Sequence, residues 1–193
     1  MTPDYINVLP NLLAPAQFLY HEQRFSAEAV QWFYSPFTAT PDDLAIPAYG
    51  GSFSHMVGRD NQGVSPLWEP ALVILHAACD AQGLVPDSIL RIRFGLATRT
   101  PEEIIHTAHV DHPILAHRTG IWYPKTSSGA TRVYAEKSKR VPNPRPPANP
   151  TEVFAQEPTS NLWFDFPGEH YHSSSTPTLH DERLVLTINY TVK

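Results

Sequence analysis

The clearest pattern in the chain begins at residue 88. Over 88–97, Leu90, Ile92, Phe94 and Leu96 fall on one face and Arg91 and Arg93 on the other, the period of a half-buried strand. The same reading predicts strands at 104–111, 120–123, 131–135, 162–166 and 183–192. On the last of these, Arg183, Val185, Thr187 and Asn189 share one face, and Leu184, Leu186, Ile188 and Tyr190 share the other. The first third is more broken: strands are predicted at 31–34 and 52–57, with a turn at 60–63. One helix stands out, because Trp68, Ala71, Leu72, Leu75 and Cys79 recur at helical spacing. Ser65-Pro66 opens it and Gly83 closes it, while Pro70 would push its start later. Short strands following a helical and mixed N-terminal portion predict a mostly β, α+β chain. A jelly-roll or barrel fits this order and a parallel α/β sheet does not.

Composition adjusts this picture in a few places. The 193 residues suit one domain spanning 1–193, with 1–87 as a helical and mixed support region and 88–193 as the core. Twenty prolines against nine glycines favour short elements with stiff turns. The segments 125–130 and 141–150 are expected to be turn and exposed extended loop, the second because its prolines remove too many N–H donors. One cysteine, Cys79, excludes an internal disulfide and any Cys-rich zinc site, and its place on the apolar stripe suggests a structural thiol. The start MTPDYINVLPNLLAP has no basic opening and does not read as a secretion signal, so the cytoplasm is the expected compartment. No apolar run approaches the roughly 20 residues of a membrane helix. Net charge of −5 argues against general nucleic-acid binding. Against that balance, Arg118, Lys125, Arg132, Lys137, Lys139, Arg140 and Arg145 crowd one segment, either as solvated loop charges or to attract an anionic substrate. Oligomeric state is not readable.

The candidate chemistry is histidine-based. Seven of the ten histidines lie between 106 and 180, in one group of His106, His109, His112 and His117 around Asp111 and another of His170, His172 and His180. A lone strand histidine is usually structural, so spacing has to decide. His109 and Asp111 are two residues apart, which on a strand puts an imidazole nitrogen and a carboxylate oxygen on one face. A third ligand from a distant strand would complete the two-His-one-carboxylate triangle of non-haem Fe(II) sites, which leaves the opposite coordination face open. His106, His112 and His117 are better read as supporting partners than as a second metal site. Arg183, opening the strand after the second group, could clamp a carboxylate with its planar fork or pair on the surface with Glu182 or Asp181.

Several motifs together resemble a known family. They are H-V-D at 109–111, G-I-W-Y at 120–123, G-A-T-R-V-Y at 129–134, F-P-x-x-x-x-H at 166–172 and E-R-L-V-L-T-I-N-Y at 182–190. In this order and spacing the chain resembles the 2-oxoglutarate- and Fe(II)-dependent dioxygenases, nearest to the prolyl-hydroxylase-like branch. W-F-Y at 32–34 and F-S-H at 53–55 are similar to short microbial and phage-type members. The resemblance covers 88–190 and implies a double-stranded β-helix core. It implies His109, Asp111 and His172 as iron ligands, with His172 preferred to His170 because the 166–172 motif ends on it. It also implies Arg183 on the distal carboxylate of 2-oxoglutarate and Tyr123 facing that cosubstrate. Fe(II), 2-oxoglutarate and O2 would then support hydroxylation of a protein or peptide side chain, proline among the candidates, or of a small metabolite. Some relatives carry a tyrosine before H-x-D that helps hold 2-oxoglutarate. None lies between Arg91 and Val110 here, and Thr98, Thr100, Arg91 and Arg93 are the candidate replacements.

Two other readings are weighed against this. Residues 106–112 are similar to the H-x-H-x-D-H motif of metallo-β-lactamase-like zinc hydrolases, but the register needs a histidine where Thr107 stands. A non-catalytic jelly-roll, such as a cupin-like sensor or viral structural module, would keep the fold and lose turnover. The chain has no G-x-S-x-G, P-loop or G-x-G-x-x-G motif.

Overall fold

The computed structural model describes residues 2–46, 51–142 and 144–193. Its strands in chain order are β1 (Asn7–Leu9), β2 (Phe33–Ser35), β3 (Ser52–Arg59), β4 (Gln62–Gly63), β5 (Pro86–Thr98), β6 (Arg118–Tyr123), β7 (Thr131–Lys137), β8 (Glu152–Gln156), β9 (Leu162–Pro167), β10 (His170–Ser174) and β11 (Glu182–Val192). Helices α1 (Pro15–Arg24) and α2 (Trp68–Gln82) and a 3-10 turn at Pro41–Ala45 complete the described elements. A major sheet runs β1-β9-β6-β11-β5-β3-β2, with β4 beside β3, and a minor sheet runs β10-β7-β8. The strand pairs are antiparallel. This is the mostly β, jelly-roll-like architecture expected from the sequence. The N-terminal region does more than support it, because β1, β2, β3 and β4 all join the major sheet.

The two faces of β11 explain the two cores. Leu184, Leu186, Ile188 and Tyr190 pack with Ile92 and Phe94 of β5 against Ala71, Ile74, Leu75, Ala78 and Cys79 of α2. Val185, on the opposite face, packs with Ile121, Tyr123, Phe164 and Phe166 and with Val133 of the minor sheet. Helices therefore cover one face of the major sheet and the minor sheet covers the other. Burying each such side chain stabilises by about 1.5–3 kcal/mol. α2 starts at Trp68 despite Pro70, since a proline in the first turn has no intrahelical N–H bond to lose. Gly83 ends it in the left-handed conformation, at φ 66°. Cys79 is fully buried and its thiol is pushed up to about 11 by burial, in keeping with the expected structural role.

One buried charge joins the layers. Asp165 is fully buried and ion-pairs with Arg118. It also accepts hydrogen bonds from Asn7 Nδ2 (3.1 Å), Gln82 Nε2 (2.7 Å), Trp163 Nε1 (3.0 Å) and the Tyr190 hydroxyl (3.2 Å). α2, β1, β6, β9 and β11 thus meet on a single carboxylate.

Three features differ from expectation. Residues 104–111 form no regular strand; they meet β10 and the residue after it through isolated bridges, Ile105–Ser175 and His109–His172, and through the His106 N–H, which donates to Ser174 O at 2.9 Å. The ladder is broken because the Thr107 N–H is taken by the Asp43 carboxylate (2.7 Å) instead of a strand carbonyl, and Pro101 and Pro113 bracket the segment. Helix α1 and strands β1, β8 and β10 are additions to the sequence reading; β8 and β10 are too short and polar for the alternation to stand out. The basic segment is largely neutralised: Arg118 pairs with Asp165, Lys125 with Glu182, Arg132 with Glu103 and Glu152, and Lys137 and Arg140 both with Glu169. No helix among the described residues is long and apolar enough to cross a membrane.

Candidate metal centre

His109 is placed by its backbone, not by a strand. It and His172 on β10 exchange both main-chain hydrogen bonds at 2.9 Å, which sets their rings 4.4 Å apart between centroids. Each ring is then aimed by a carbonyl two residues earlier: His109 Nδ1 lies 3.2 Å from Thr107 O, and His172 Nδ1 lies 3.3 Å from His170 O. Both Nε2 atoms face Asp111, His109 at 3.7 Å from Oδ1 and His172 at 3.5 Å from Oδ2. All the ligand atoms of the three residues lie within 4.8 Å of one another. Two imidazole nitrogens and a carboxylate at that spread fit around one ion with bonds of about 2.0–2.2 Å.

Asp111 is held from behind. Arg91 Nη2 donates to Oδ1 at 2.5 Å and Asn189 Nδ2 donates to Oδ2 at 2.9 Å. Burial opposes ionisation of Asp111, but the Arg91 guanidinium, helped by the two neighbouring imidazoles, outweighs it and keeps the carboxyl well below its usual range. Burial lowers the His109 pKa, with His172 adding to the effect and Asp111 opposing it. The ring is thereby kept in the neutral form that a metal requires.

The expected alternative ligand, His170, is turned elsewhere. The β7–β10 register shifts between His170 and His172, so the two do not share a face. His170 Nδ1 bonds Tyr134 O at 2.8 Å and its ring stacks on Tyr5 at 4.5 Å. Nor do the other histidines bond the three site residues: His106 Nδ1 bonds the Ser174 hydroxyl (2.9 Å), and His117 Nδ1 bonds Leu115 O (2.9 Å). His112 accepts from the Leu115 N–H (3.4 Å).

Arg183 shares a cavity wall with the three site residues. It is buried, 3% exposed, and donates through Nε to Gly129 O and through Nη2 to the Thr131 hydroxyl, both at 2.6 Å. It forms no ion pair among the described residues. The surface pairing weighed from the sequence does not occur, since Glu182 pairs with Lys125 and Asp181 with Arg99. A buried guanidinium without an acid is costly unless an anion completes it. Tyr123 is fully buried behind Arg183, not in the cavity wall; its hydroxyl bonds Thr131 at 2.7 Å and its ring lies 5.7 Å from the guanidinium carbon. Of the candidate replacements for the absent tyrosine, Arg91 and Arg93 line the cavity. Thr98 is exposed, and Thr100 bonds Thr176 at 2.5 Å.

Two contributors escaped the sequence reading. Asn189 is visible only as a residue on the Arg183 face of β11. Asp43 is fully buried and binds the N–H groups of Thr38 (3.0 Å), Ala39 (2.9 Å) and Thr107 (2.7 Å), pinning the cavity-lining Thr38 loop to the segment carrying His109. Its only signal is the T-x-x-D helix-start spacing from Thr40, realised as a capping box.

No family model matches the chain, and no curated protein matches it in sequence. Solved structures do match its fold over nearly its whole length. A prolyl-4-hydroxylase from Pseudomonas putida aligns at TM-score 0.58 and 12% identity, covering 98% of this chain and 93% of that one. A prolyl hydroxylase from Trichoplax adhaerens, in complex with a hypoxia inducible factor peptide fragment, aligns at 0.56 and 12%, covering 97% and 84%. The epimerase SnoN of nogalamycin biosynthesis, in complex with Fe3+, α-ketoglutarate and nogalamycin RO, aligns at 0.62 and 12%, covering 97% and 79%. The chain has the fold of these structures.

Proposed function

We propose that the chain is a non-haem Fe(II)- and 2-oxoglutarate-dependent oxygenase, with His109, Asp111 and His172 as the metal ligands. The observation that carries this is one cavity wall presenting both the His-Asp-His group and the buried Arg183, whose charge has no acidic partner among the described residues. Arg183 is read as the anchor for the distal carboxylate of 2-oxoglutarate, with Thr131 completing the grip and Tyr123 bracing the guanidinium from behind. Iron with 2-oxoglutarate and O2 would supply the oxidising chemistry, the cosubstrate leaving as succinate and CO2. The residues of the chain orient it. The His109–His172 bridge holds two nitrogens in place, Asn189 and Arg91 hold the carboxylate, and the Phe166 ring packs edge-on against His172 at 5.2 Å.

The substrate is read as a protein or peptide side chain, proline among the candidates, or a small metabolite. The prolyl hydroxylases and the peptide complex among the similar structures support the first option, and the epimerase supports the second. A lone buried thiol fits a cytoplasmic setting. The test is to measure Fe(II) and 2-oxoglutarate binding, then succinate release under O2 with proline-containing peptides and with small metabolites. Binding of both with 2-oxoglutarate-dependent succinate release is expected. Failure to bind either would overturn the reading. Binding of metal without turnover on any substrate would favour a non-catalytic jelly-roll, and zinc-dependent ester hydrolysis would favour a hydrolase.

A further inference from the structure

We propose that Arg91 is a built-in counter-ion of Asp111 that sets the metal affinity of the site by opposing the incoming cation. The inference rests on reading His109, Asp111 and His172 as the ligands. Sheet register brings Arg91 there: it pairs directly with Asn189 across β5 and β11, on the face that looks into the cavity. Its Nε donates to Asn189 Oδ1 at 3.2 Å while its Nη2 donates to Asp111 Oδ1 at 2.5 Å. The Asn189 amide closes the triangle by donating to Asp111 Oδ2 at 2.9 Å and to the Thr119 hydroxyl at 3.1 Å. The guanidinium cannot swing away without breaking both of its bonds.

The electrostatic consequence follows from counting charges. Two neutral imidazoles and one carboxylate form a ligand set of net charge −1, which attracts a divalent cation. With Arg91 bonded to that carboxylate the set is neutral, and the cation must approach a fixed positive charge on the same carboxylate. Arg91 and Asp111 are 28% and 7% exposed at the side chain, so water screens the pair only in part. Arg91 and Asn189 therefore act in opposite senses. Asn189 orients the carboxylate without altering its charge, whereas Arg91 orients it and withdraws from its pull on the metal. Arg91 keeps Asp111 satisfied when metal is out and weakens the hold when metal is in.

Binding of Mn2+ to the full chain at neutral pH, followed by the electron paramagnetic resonance signal of the free ion, tests this. Arg91→Met keeps the aliphatic stem and removes the charge; it is expected to tighten Mn2+ binding by roughly tenfold. Arg91→Lys should stay near the unmodified protein, and Asn189→Ala should loosen binding. A scaffolding role alone would make every Arg91 variant bind more weakly. If Arg91→Met does not fold, judged by circular dichroism, Arg91→Gln makes the same comparison. Unchanged or weaker Mn2+ binding in a folded, uncharged Arg91 variant overturns the proposal and leaves the metal site standing. Absence of Mn2+ and Fe(II) binding in the unmodified protein overturns the metal reading itself, and this inference with it.

Discussion

His109 and His172 exchange both backbone hydrogen bonds at 2.9 Å, and this one bridge aligns the rings of two segments far apart in the chain. His170 lies two residues from His172 and is equally buried, yet its ring stacks on Tyr5. The two histidines should therefore behave differently when removed. His172→Ala is expected to abolish Fe(II) or Mn2+ binding. His170→Ala should retain it and lose only the stability of a packed ring, on the order of 1–3 kcal/mol. Titration calorimetry on both variants is the check, and loss of metal binding in His170→Ala with retention in His172→Ala would reverse the assignment.

Arg183 makes the second prediction. Its guanidinium is buried and bonded only to neutral oxygens among the contacts described. Removing one partner of a buried charged hydrogen bond costs about 2–5 kcal/mol of binding, which is roughly 30-fold or more in affinity. Arg183→Met should weaken 2-oxoglutarate binding by at least that factor while metal binding persists. Because the buried charge has no acid beside it among the described residues, the melting temperature of the ligand-free variant should hold or rise. An unchanged dissociation constant for 2-oxoglutarate would remove Arg183 from the anchor role.

The sequence made parts of this site readable and hid others for physical reasons. β11 was legible because both of its faces are buried in different company, apolar toward α2 and mixed toward the cavity. The pairing of His109 with Asp111 was legible as i, i+2 spacing, although the strand geometry invoked for it is absent. Two isolated bridges and the Asp43 carboxylate achieve the same convergence. Asp43 itself was hidden because a buried carboxylate that binds backbone N–H groups leaves no periodic mark. The contact of Arg91 with Asp111 was hidden because it depends on the β5–β11 register, which one strand's alternation does not specify.

Acid stability should reflect the buried imidazoles. His106 is 3% exposed, and its pKa is pushed down to about 4 by burial, with Asp43 pulling it up and Arg183 pushing it further down. An unfolded histidine titrates near 6.5. The unfolded chain therefore takes up a proton that the folded chain refuses. The stability held in neutral His106 is complete above pH ~6.5 and is lost as pH falls from there to about 4, an amount on the order of 3 kcal/mol. His109, His117 and His170 are also lowered by burial and act with the same sign. Urea denaturation between about pH 7 and about pH 5 should show a steep fall in stability, shallower in a folded His106→Gln variant. A flat profile would mean that these rings take up protons in the folded protein.

The last prediction concerns the scaffold that keeps β6, β9 and β11 in register beneath the cavity. Asp165 is fully buried and binds Arg118 together with side chains from β1, α2, β9 and β11. Removing one partner of a buried pair strands the other, at a cost of about 3–5 kcal/mol. Asp165→Ala should lower unfolding stability by that amount, a large share of the ~5–15 kcal/mol typical of a domain. The double variant Asp165→Leu with Arg118→Met removes both charges and should recover part of the loss, because no unpaired ion remains. Metal binding in whichever variant stays folded should match the unmodified protein, since no bond of Asp165 reaches Asp111, His109 or His172 among those described. Equal stability of Asp165→Ala and the unmodified protein in urea denaturation would show that Arg118 finds another partner, and the hub would then carry no structural weight.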